Sequence, residues 1–187
     1  GFMEAYDPAF QMWIGGGDHF AFMNQPMAAV VNFRMFCITM VPLLGQDSRA
    51  IEALDAVVQA LPDSMADTLH AMWAQKMGLI EFRTELFAEL HTLMAQTPVD
   101  YTIFWRELSS LPQQVADLRP SFYASRGAYG QDSADMEARW TTWLQKWHTA
   151  LAQDGRDPLE VSVAMKQVNP KYIAREWMLV QAYRSAT

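Results

Sequence analysis

Four histidines and the carboxylates near them are the first candidates for chemistry in this chain of 187 residues. They are His19, His70, His91 and His148. A helical bundle that binds two metal ions uses two Glu-x-x-His motifs and two further carboxylates. The nearest match here is residues 67–70, Asp-Thr-Leu-His, and Glu89 is spaced too closely to His91 to share its helical face. The donor count therefore argues against a metal-binding bundle.

Residues 15–18, Gly-Gly-Gly-Asp, form the type of loop that can hold a phosphate group. Such a loop needs a strand before it and a helix directly after it, so that backbone N–H groups converge on the anion. The sequence predicts neither, and we interpret these residues as a flexible loop. There is also no Gly-x-Ser-x-Gly motif to present a serine nucleophile to a histidine and an aspartate.

Tryptophans 140, 143 and 147 recur at helical spacing and have two interpretations. They could form a platform for a ligand, or they could be one face of a helix packed in the core, which the spacing favours. The 13 methionines suit either an adaptable interior or a groove for a partner, and we again favour the interior.

Two polar clusters remain, the first among apolar neighbours and the second beside the predicted start of the last helix. They are Asn24, Gln25 and Asn32, and then Lys171, Arg175 and Glu176. Buried amides must be hydrogen-bonded, so the first cluster is predicted to pin a loop against the helical lobe rather than to contact a substrate. The second cluster either ties the last helix to a neighbour or lies at the surface, and the surface is the default expectation for charged residues.

Residues 1–26 show no sustained periodicity, and we predict an irregular segment there. Aromatic rings are expected to hold it down, since it has no hydrogen-bonded ladder of its own. These rings are Phe2, Tyr6, Phe10, Trp13, Phe20 and Phe22.

From residue 27 onward the pattern is helical. Residues 27–44 are apolar on nearly all sides, which predicts a helix that is buried on most faces and closed by Gly45. The next helix is predicted over residues 51–61, with Asp47 or Ser48 as its cap and Pro62 as its end. A separate helix then runs from residue 64 to residue 77 and stops at Gly78.

The second half of the chain has stronger helix signals. Residues 82–96 and 100–108 are predicted helices, the latter capped by Asp100. A loop is expected over 112–132, and a long amphipathic helix over 136–151, ended by Gly155. Asp157 followed by proline opens the next helix, and the Asn-Pro pair at 169–170 is predicted to start the last one.

Composition limits the class of protein. Apolar residues make up 51% of the chain and charged residues 19%, which allows a core in one domain. A net charge of -7 is not the footprint of a nucleic-acid binder. Residues 35–44, the longest apolar stretch, are too short for a bilayer span and contain Pro42, and no signal peptide is visible. Cys37, the single cysteine, is interpreted as an inert buried thiol.

No segment alternates like a strand, and we find no internal repeat and no low-complexity segment. The predicted fold class is all-α, with about eight helices and short connections.

Five segments resemble the selenoprotein O (SelO) family in order and separation. Residues 1–8 (GFMEAYDP), 20–26 (FAFMNQP) and 168–177 (VNPKYIAREW) are similar to three of its motifs. Residues 100–109 and 153–157 resemble two further stretches of the family. The resemblance covers almost the whole chain.

The resemblance implies a fold and an activity. SelO proteins are protein-kinase-like (pseudokinase) adenylyltransferases that move AMP from ATP, with Mg2+, to Ser, Thr or Tyr hydroxyls of proteins. In the family, the first motif follows directly on the Asp-Tyr-Gly that holds the nucleotide's metal ion. We therefore expect residues 1–26 to be the segment after that metal motif, and residues 27–187 to be the helical C-terminal lobe of a larger protein.

The family's ATP contacts, metal ligands and proposed base all correspond to positions before Gly1. We therefore assign no catalytic, cofactor-binding or metal-binding residue to this chain, and expect it to be inactive alone. The expected partners are protein substrates and the N-terminal kinase-like part, with no nucleic acid and no membrane. The resemblance leaves the compartment open between mitochondria, another organelle and the cytoplasm. Separated from the rest, the lobe should expose apolar surface along residues 1–44.

One stretch departs from the family pattern. Between the Asp-Pro and Asn-Gln-Pro motifs, family members carry an Asn and a Ser/Thr-Asp, whereas residues 11–19 here retain only Asp18. The rival hypothesis is therefore a divergent or truncated product that acts as a helical interaction module without enzymatic activity.

Overall fold

The computed structural model describes residues 2–11, 15, 17–123 and 133–186. Its α-helices are α1 (Gln25–Met40), α2 (Ser48–Lys76), α3 (Thr84–Gln96), α4 (Tyr101–Leu108), α5 (Ser133–Asp154), α6 (Pro158–Val168) and α7 (Glu176–Ser185). Its 3₁₀ helices are Asp18–Phe20, Phe22–Asn24, Val41–Leu44 and Val115–Ser121. Within these residues the only extended pairings are isolated bridges, Ala5 with Asp100 and Val99 with Phe122. The predicted all-α class is confirmed.

Backbone contacts divide the chain into two compact units. The larger unit comprises Gly1–Asp7 with Ala71–Thr187, and the smaller unit comprises Pro8–His70. The division at residue 26 that the sequence suggested stays a prediction.

The core of the larger unit is built on the tryptophan stripe of α5. Trp140, Trp143 and Trp147 are at most 1% exposed. Each indole N–H is satisfied, because they donate to the Thr97 hydroxyl, the Leu86 carbonyl and the Met77 carbonyl at 2.8–3.0 Å. Buried tryptophans need such partners. The core interpretation of the stripe is therefore confirmed.

Most of the predicted helix caps are present. The side chains of Asp47, Asp100 and Asp157 accept hydrogen bonds from backbone N–H groups in the first turns of α2, α4 and α6. Such bonds satisfy donors that a helix leaves open at its start. At the other end of α2, Gly78 takes a φ of 73°, where glycine is favoured.

The prediction that Pro62 ends a helix is wrong. Helix α2 continues through Pro62, so that two predicted helices are one. A proline inside a helix removes one hydrogen bond and strains the preceding turn. Here Pro62 is exposed, so the carbonyl of Val58 that loses its partner can be hydrated.

The predicted start of the last helix is also wrong. Helix α7 begins at Glu176, and the residues from Pro170 to Arg175 are not helical. Asn169 does not cap α7, because its side chain is fully buried and bonded elsewhere. The carbonyl of Ala174 instead accepts from the Phe2 N–H at 3.4 Å. Tertiary contacts thus override the local helix signal.

Helix α1 forms as predicted, but its predicted burial is wrong within this chain. Cys37 is its only buried residue, which confirms that this thiol is buried. Within the smaller unit the helix packs mainly against the short 3₁₀ helices at its two ends, which cannot cover its sides. The apolar residues between them are left open to solvent.

By length and composition alone, the helical run Phe22–Leu44 could cross a membrane. The run has 23 residues and a mean hydropathy of 1.8, and only 6% of its 18-residue apolar stretch is buried. Residues 35–44, the apolar stretch that is too short for a span, are only the second half of this run. A core helix of a larger protein has the same composition, so the absence of a membrane partner stays a prediction.

The predicted ring anchors and loops are only partly present. Of the predicted ring anchors, Tyr6 is buried, whereas Phe2 and Phe20 are exposed and were predicted wrongly. Part of the predicted 112–132 loop is the 3₁₀ helix Val115–Ser121. Residues 124–132 of that loop, Trp13, and Gly16 of the glycine-rich loop lie outside the described residues.

Candidate functional site

Three of the sequence segments that suggested a family come together in the larger unit. Residues 2–6 run extended beside the start of α4, where the Tyr6 N–H donates to the Val99 carbonyl at 2.9 Å and the Tyr101 N–H donates to the Glu4 carbonyl at 2.8 Å. These bonds form the antiparallel bridge between Ala5 and Asp100. The site is thus assembled from segments that are 75 or more residues apart in sequence.

A buried carboxylate, Asp100, ties these segments to a third one. Arg175 donates two hydrogen bonds to it, from Nη1 to Oδ2 at 2.5 Å and from Nη2 to Oδ1 at 3.0 Å. The hydroxyl of Tyr123 donates to Oδ2 at 3.1 Å, and the backbone N–H of Ile103 donates to Oδ1 at 3.0 Å. Glu4 lies 4.0 Å from the same guanidinium. We call Glu4, Asp100, Tyr123 and Arg175 the Asp100 cluster.

The Asp100 cluster holds its charge rather than exchanging protons. Burial alone would raise the pKa of Asp100, but the hydrogen bonds from Arg175, Ile103 and Tyr123 and the charge of Arg175 together lower it below the usual value. Burial and the adjacent Asp100 carboxylate raise the pKa of Tyr123. A carboxylate with four donors and a two-pronged arginine is an anchor, not a general base.

Next to this cluster, Tyr6 is fixed by a histidine and a second ring. Its hydroxyl donates to Nδ1 of His91 at 2.7 Å, and its ring stacks on Tyr101 with centroids 5.4 Å apart. Burial, assisted by the charge of Asp7, raises the pKa of Tyr6 to about 12. Burial lowers the pKa of His91 to about 4. Tyr6 is therefore the donor and neutral His91 the acceptor at ordinary pH.

That assignment places the proton of His91 on Nε2, which is buried without a hydrogen-bond partner. The ring of Trp73 stands edge-on to the imidazole, at 5.5 Å between centroids and 89° between planes. His91 thus sits in an aromatic setting that disfavours its charged form.

A third polar group surrounds Asn169. Its amide nitrogen donates to the Lys76 carbonyl and the Ser109 hydroxyl, both at 3.0 Å, and its amide oxygen accepts from Lys76 Nζ at 2.8 Å. Arg106 donates to the carbonyls of Lys166 and Asn169. Asn169 therefore joins the end of α2 to α4 and to the end of α6.

Lys76 has an unusual setting for a cation. Its Nζ lies 4.7 Å from the centre of the Trp105 ring, and burial lowers its pKa to about 8. Its Nζ donates to the neutral amide of Asn169 rather than to a carboxylate. The electron-rich face of the Trp105 ring attracts the Lys76 cation and partly compensates for its lost hydration.

The second polar cluster from the sequence is divided by the structure. Arg175 belongs to the Asp100 cluster, so its default interpretation as a surface charge is wrong. Its side chain is 17% exposed. Lys171 and Glu176 are exposed.

The first polar cluster lies in the smaller unit. The side chains of Asn24 and Gln25 donate to the carbonyls of Asp18 and Phe20, at 2.8 and 2.6 Å. They do hold the preceding loop, but they are exposed rather than buried. Asn32 is also exposed.

Sequence reasoning missed the partners in these clusters. Asp100 was predicted only as a helix cap, and His91 and Lys76 were not given the roles that the structure shows. Their pairs, Tyr6 and Asn169, lie 85 and 93 positions away, and spacing within one helix carries no signal at that range. The available hint was that Tyr6, Asp100, Asn169 and Arg175 all fall inside the five family-like segments.

The described residues contain no group of three or more His, Cys, Asp or Glu that could hold a metal ion. A hollow of about 410 Å³ lies between α3 and α5, with Glu89, Arg139 and Lys146 on its walls, but it is open and Lys146 already pairs with Glu89 at 2.7 Å. The clusters can position backbone segments. The hydroxyl–imidazole pair of Tyr6 and His91 is enclosed by the rings of Tyr101 and Trp73.

Comparison with known proteins shows to which family the chain belongs. A model of the family described as protein adenylyltransferase SelO matches residues 1–186. A protein nucleotidyltransferase YdiU of Thioalkalivibrio sulfidiphilus is 32% identical over all of this chain and 37% of its own length. The YdiU proteins of Thiobacillus denitrificans and Salmonella enteritidis are 30% and 29% identical over all of this chain and 36% of their own lengths.

The chain thus spans a little over a third of the length of these relatives. With a family match over residues 1–186 and a relative 32% identical along the full chain, the protein belongs to the SelO family.

Proposed function

We propose that this chain is the helical lobe of a protein adenylyltransferase with a kinase-like fold. The complete enzyme moves AMP from Mg-ATP to Ser, Thr or Tyr hydroxyls of other proteins, and the 187 residues have no such activity alone. The observation that carries the proposal is the family match over residues 1–186. The name of the relatives, protein nucleotidyltransferase, supports the same type of reaction.

The residues present do not fit a nucleotide and its metal ion. The part of the chain that the structure describes holds no group of three or more His, Cys, Asp or Glu that could bind the metal ion, and the buried carboxylate of Asp100 already accepts four hydrogen bonds. We therefore place ATP and Mg2+ binding in the part of the family protein that this chain does not span, and derive no step of the reaction here.

The role of this chain is then to hold residues 2–6 in a fixed position. The Asp100 cluster fixes residues 2–6 through Glu4 and through the bridge at Ala5. In the family this segment follows the residues that hold the metal ion. A segment held by backbone bonds to Val99 and Tyr101 and by the ion pair of Glu4 with Arg175 would keep the fixed geometry that phosphoryl transfer requires.

The test uses a chimera in which this chain replaces the matching third of the Thioalkalivibrio sulfidiphilus relative. We expect the chimera to incorporate label from α-labelled ATP with Mg2+ into protein, and the 187-residue chain alone to incorporate none. Labelling by the chain alone would place the active site within residues 1–187 and overturn the proposal. No labelling by a folded chimera, while the intact relative labels, would remove the enzymatic role.

The exposed apolar helix α1 favours one alternative, a helical interaction module without enzymatic activity. The altered stretch at residues 11–19 also supports this alternative. Under it, a folded chimera would not transfer AMP, although the chain would still bind a protein partner.

A further inference from the structure

Lys76 differs from the other lysines of this chain in where its amine lies. Its Nζ is 4.7 Å from the centre of the Trp105 ring and donates to the side-chain oxygen of Asn169 at 2.8 Å. Trp105 is 1% exposed and Asn169 is fully buried, whereas Lys76 is partly exposed and so still borders solvent. The other lysines are all exposed, namely Lys146, Lys166 and Lys171.

The charges around Lys76 do not neutralise it. Among the residues that the structure describes it forms no ion pair. The other charged group at Asn169 is a second cation, Arg106, which donates to the Asn169 carbonyl at 3.2 Å. Lysines that act as nucleophiles are typically desolvated in an apolar pocket or placed near another cation. Lys76 meets both conditions.

Burial has the expected effect on the amine, because it lowers the pKa of Lys76 to about 8. At pH 7.4 about one Lys76 amine in five is then neutral, against about one in a thousand for an ordinary exposed lysine. Only the neutral amine has the lone pair that attacks an electrophilic carbon. Lys76 therefore combines a reactive amine with a position at the edge of the fold.

Arg106 indicates which electrophile suits this amine. Its Nη1 donates to the carbonyls of Lys166 and Asn169, and it has no ion pair within the described part of the chain. The positive charge of its guanidinium is thus open to a phosphate group. An acyl phosphate carries such a group next to an electrophilic carbonyl carbon.

We propose that Lys76 is an acylation site that takes its acyl group from an acyl phosphate. After the ammonium has lost a proton to water, Nζ attacks the carbonyl carbon and forms an N–C bond. The bond from that carbon to the phosphate oxygen breaks, phosphate leaves with the electron pair, and the nitrogen loses a second proton to solvent. The acylated side chain is larger and has no charge for the Trp105 ring, so acylation weakens the junction of α2 with α4 and α6.

The first experiment compares two lysines of the same molecule. Acetyl phosphate is added at pH 7.5 to the chain and to the chimera described above, and mass spectrometry follows the acetylation of each lysine. Lys171 is the matched control, because its Nζ also lies near a ring, 5.2 Å from the centre of Tyr172, but its side chain is exposed. We expect Lys76 to react at least about tenfold faster than Lys171.

Unfolding provides the control for this comparison. In guanidinium chloride the two lysines should react at equal rates, because the preference comes from the fold. A rate at Lys76 that is no higher than at Lys171 in the folded proteins would overturn the proposal, and so would a preference that survives unfolding. These readouts do not depend on whether AMP is transferred.

The second experiment varies the pH and the acyl donor. The rate at Lys76 should level off above about pH 8, whereas that of an ordinary lysine still rises at about pH 10. With p-nitrophenyl acetate, which transfers the same acyl group without a phosphate, the preference for Lys76 should be smaller. Arg106→Gln should reduce the preference with acetyl phosphate to that level. Equal preferences with both donors in the unsubstituted protein would overturn the assignment to acyl phosphates.

The third experiment measures the effect on the junction. Treatment with acetyl phosphate should lower the Tm of the chain by about 4 °C or more. Lys76→Arg keeps the cation and cannot be acetylated at this position, so the same treatment should change its Tm by less than about 1 °C. An equal fall in both proteins would assign the loss to the exposed lysines and would overturn the proposed weakening of the junction.

Discussion

At the scale of single residues, Asp100 performs two tasks with one carboxylate. It caps α4 through the Ile103 N–H, and it binds Arg175 and Tyr123. The side chain of Asp100 is 7% exposed and that of Arg175 is 17% exposed. A buried carboxylate that loses its cation is left with an uncompensated charge. The cluster is therefore sensitive to the loss of either partner.

We predict that Arg175→Ala lowers the free energy of unfolding by about 3 kcal/mol, measured by urea denaturation. The matched control is Arg119→Ala, which breaks the exposed pair with Glu137 at 3.3 Å. It should cost less than about 1 kcal/mol, because water screens that pair. Equal effects of the two substitutions would mean that the Asp100 cluster is no more than a surface contact.

His91 predicts a dependence of stability on pH. Its pKa is lowered from 6.5 to about 4 by burial, so the unfolded chain binds a proton first as the pH falls. Its contribution is therefore complete above pH 6.5 and is lost as the pH falls toward 4, by up to about 3 kcal/mol. The lowered pKa of Asp100 adds a further loss below about pH 4.

The check is urea unfolding at pH 7 and pH 5 for the chain and for His91→Phe. The difference between the two pH values should shrink in this variant. It should persist in His70→Gln, because His70 is exposed on α2. An unchanged difference in His91→Phe would assign the pH dependence to other groups.

At the scale of elements, the sequence predicted helices well where the deciding signals were local. The caps at Asp47, Asp100 and Asp157 and the tryptophan period of α5 needed only neighbouring residues. It failed at Pro62 and at residues 170–175, where distant contacts or solvent decide the outcome. A proline and an Asn-Pro pair have the same local signal whether or not a helix ends there.

The junction between α2 and α6 gives a prediction at this scale. A Cβ on Gly78 would lie 2.6 Å from Met165 Sδ and 2.8 Å from Val161 Cγ1, whereas one on Gly155 would meet nothing within 4 Å. Both glycines have positive φ. Gly155→Ala should cost about 1 kcal/mol for that backbone alone. Gly78→Ala should cost about 2 kcal/mol more, because the core must shift. Denaturation midpoints measure the stability of the two variants. Similar losses of stability would mean that α6 moves freely to make room for the new Cβ.

The proline inside α2 gives a second prediction at the scale of elements. Pro62→Ala should stabilise the chain by up to about 3 kcal/mol, since the helix regains a hydrogen bond and loses a steric conflict. Pro158→Ala at the first position of α6 is the control and should change stability by less than about 0.5 kcal/mol. Helix content from circular dichroism and urea midpoints measure both. A destabilised Pro62→Ala would show that the chain depends on a bend at this point.

At the scale of the whole molecule, the net charge and the exposed apolar surface together control association between molecules. The net charge is -7 and the sequence pI is about 5.0, so repulsion between molecules vanishes near pH 5. The α1 face, which consists of Met27, Val31, Met35 and Ile38, is exposed in this chain. The all-α class and the family could be predicted from the sequence, whereas the Asp100 cluster could not, because it joins Glu4, Asp100 and Arg175 over long separations.

We predict that turbidity of the chain rises sharply near pH 5 and that Val31→Glu reduces it, while Val163→Glu does so less. Light scattering against pH measures this effect. Equal reductions by both substitutions would show that charge alone controls association and that the α1 face has no special part.

The contacts of residues 2–6 also constrain the time course of biosynthesis. Their partners include Asp100, Ala174 and Arg175, so a ribosome must add some 170 further residues before the last of them exists. At roughly 5–20 residues per second, the first segment waits about 10–35 s. Until residues 174 and 175 are made, the Phe2 N–H and the Glu4 carboxylate lack these partners, and we expect a holdase chaperone to bind the segment best before that point.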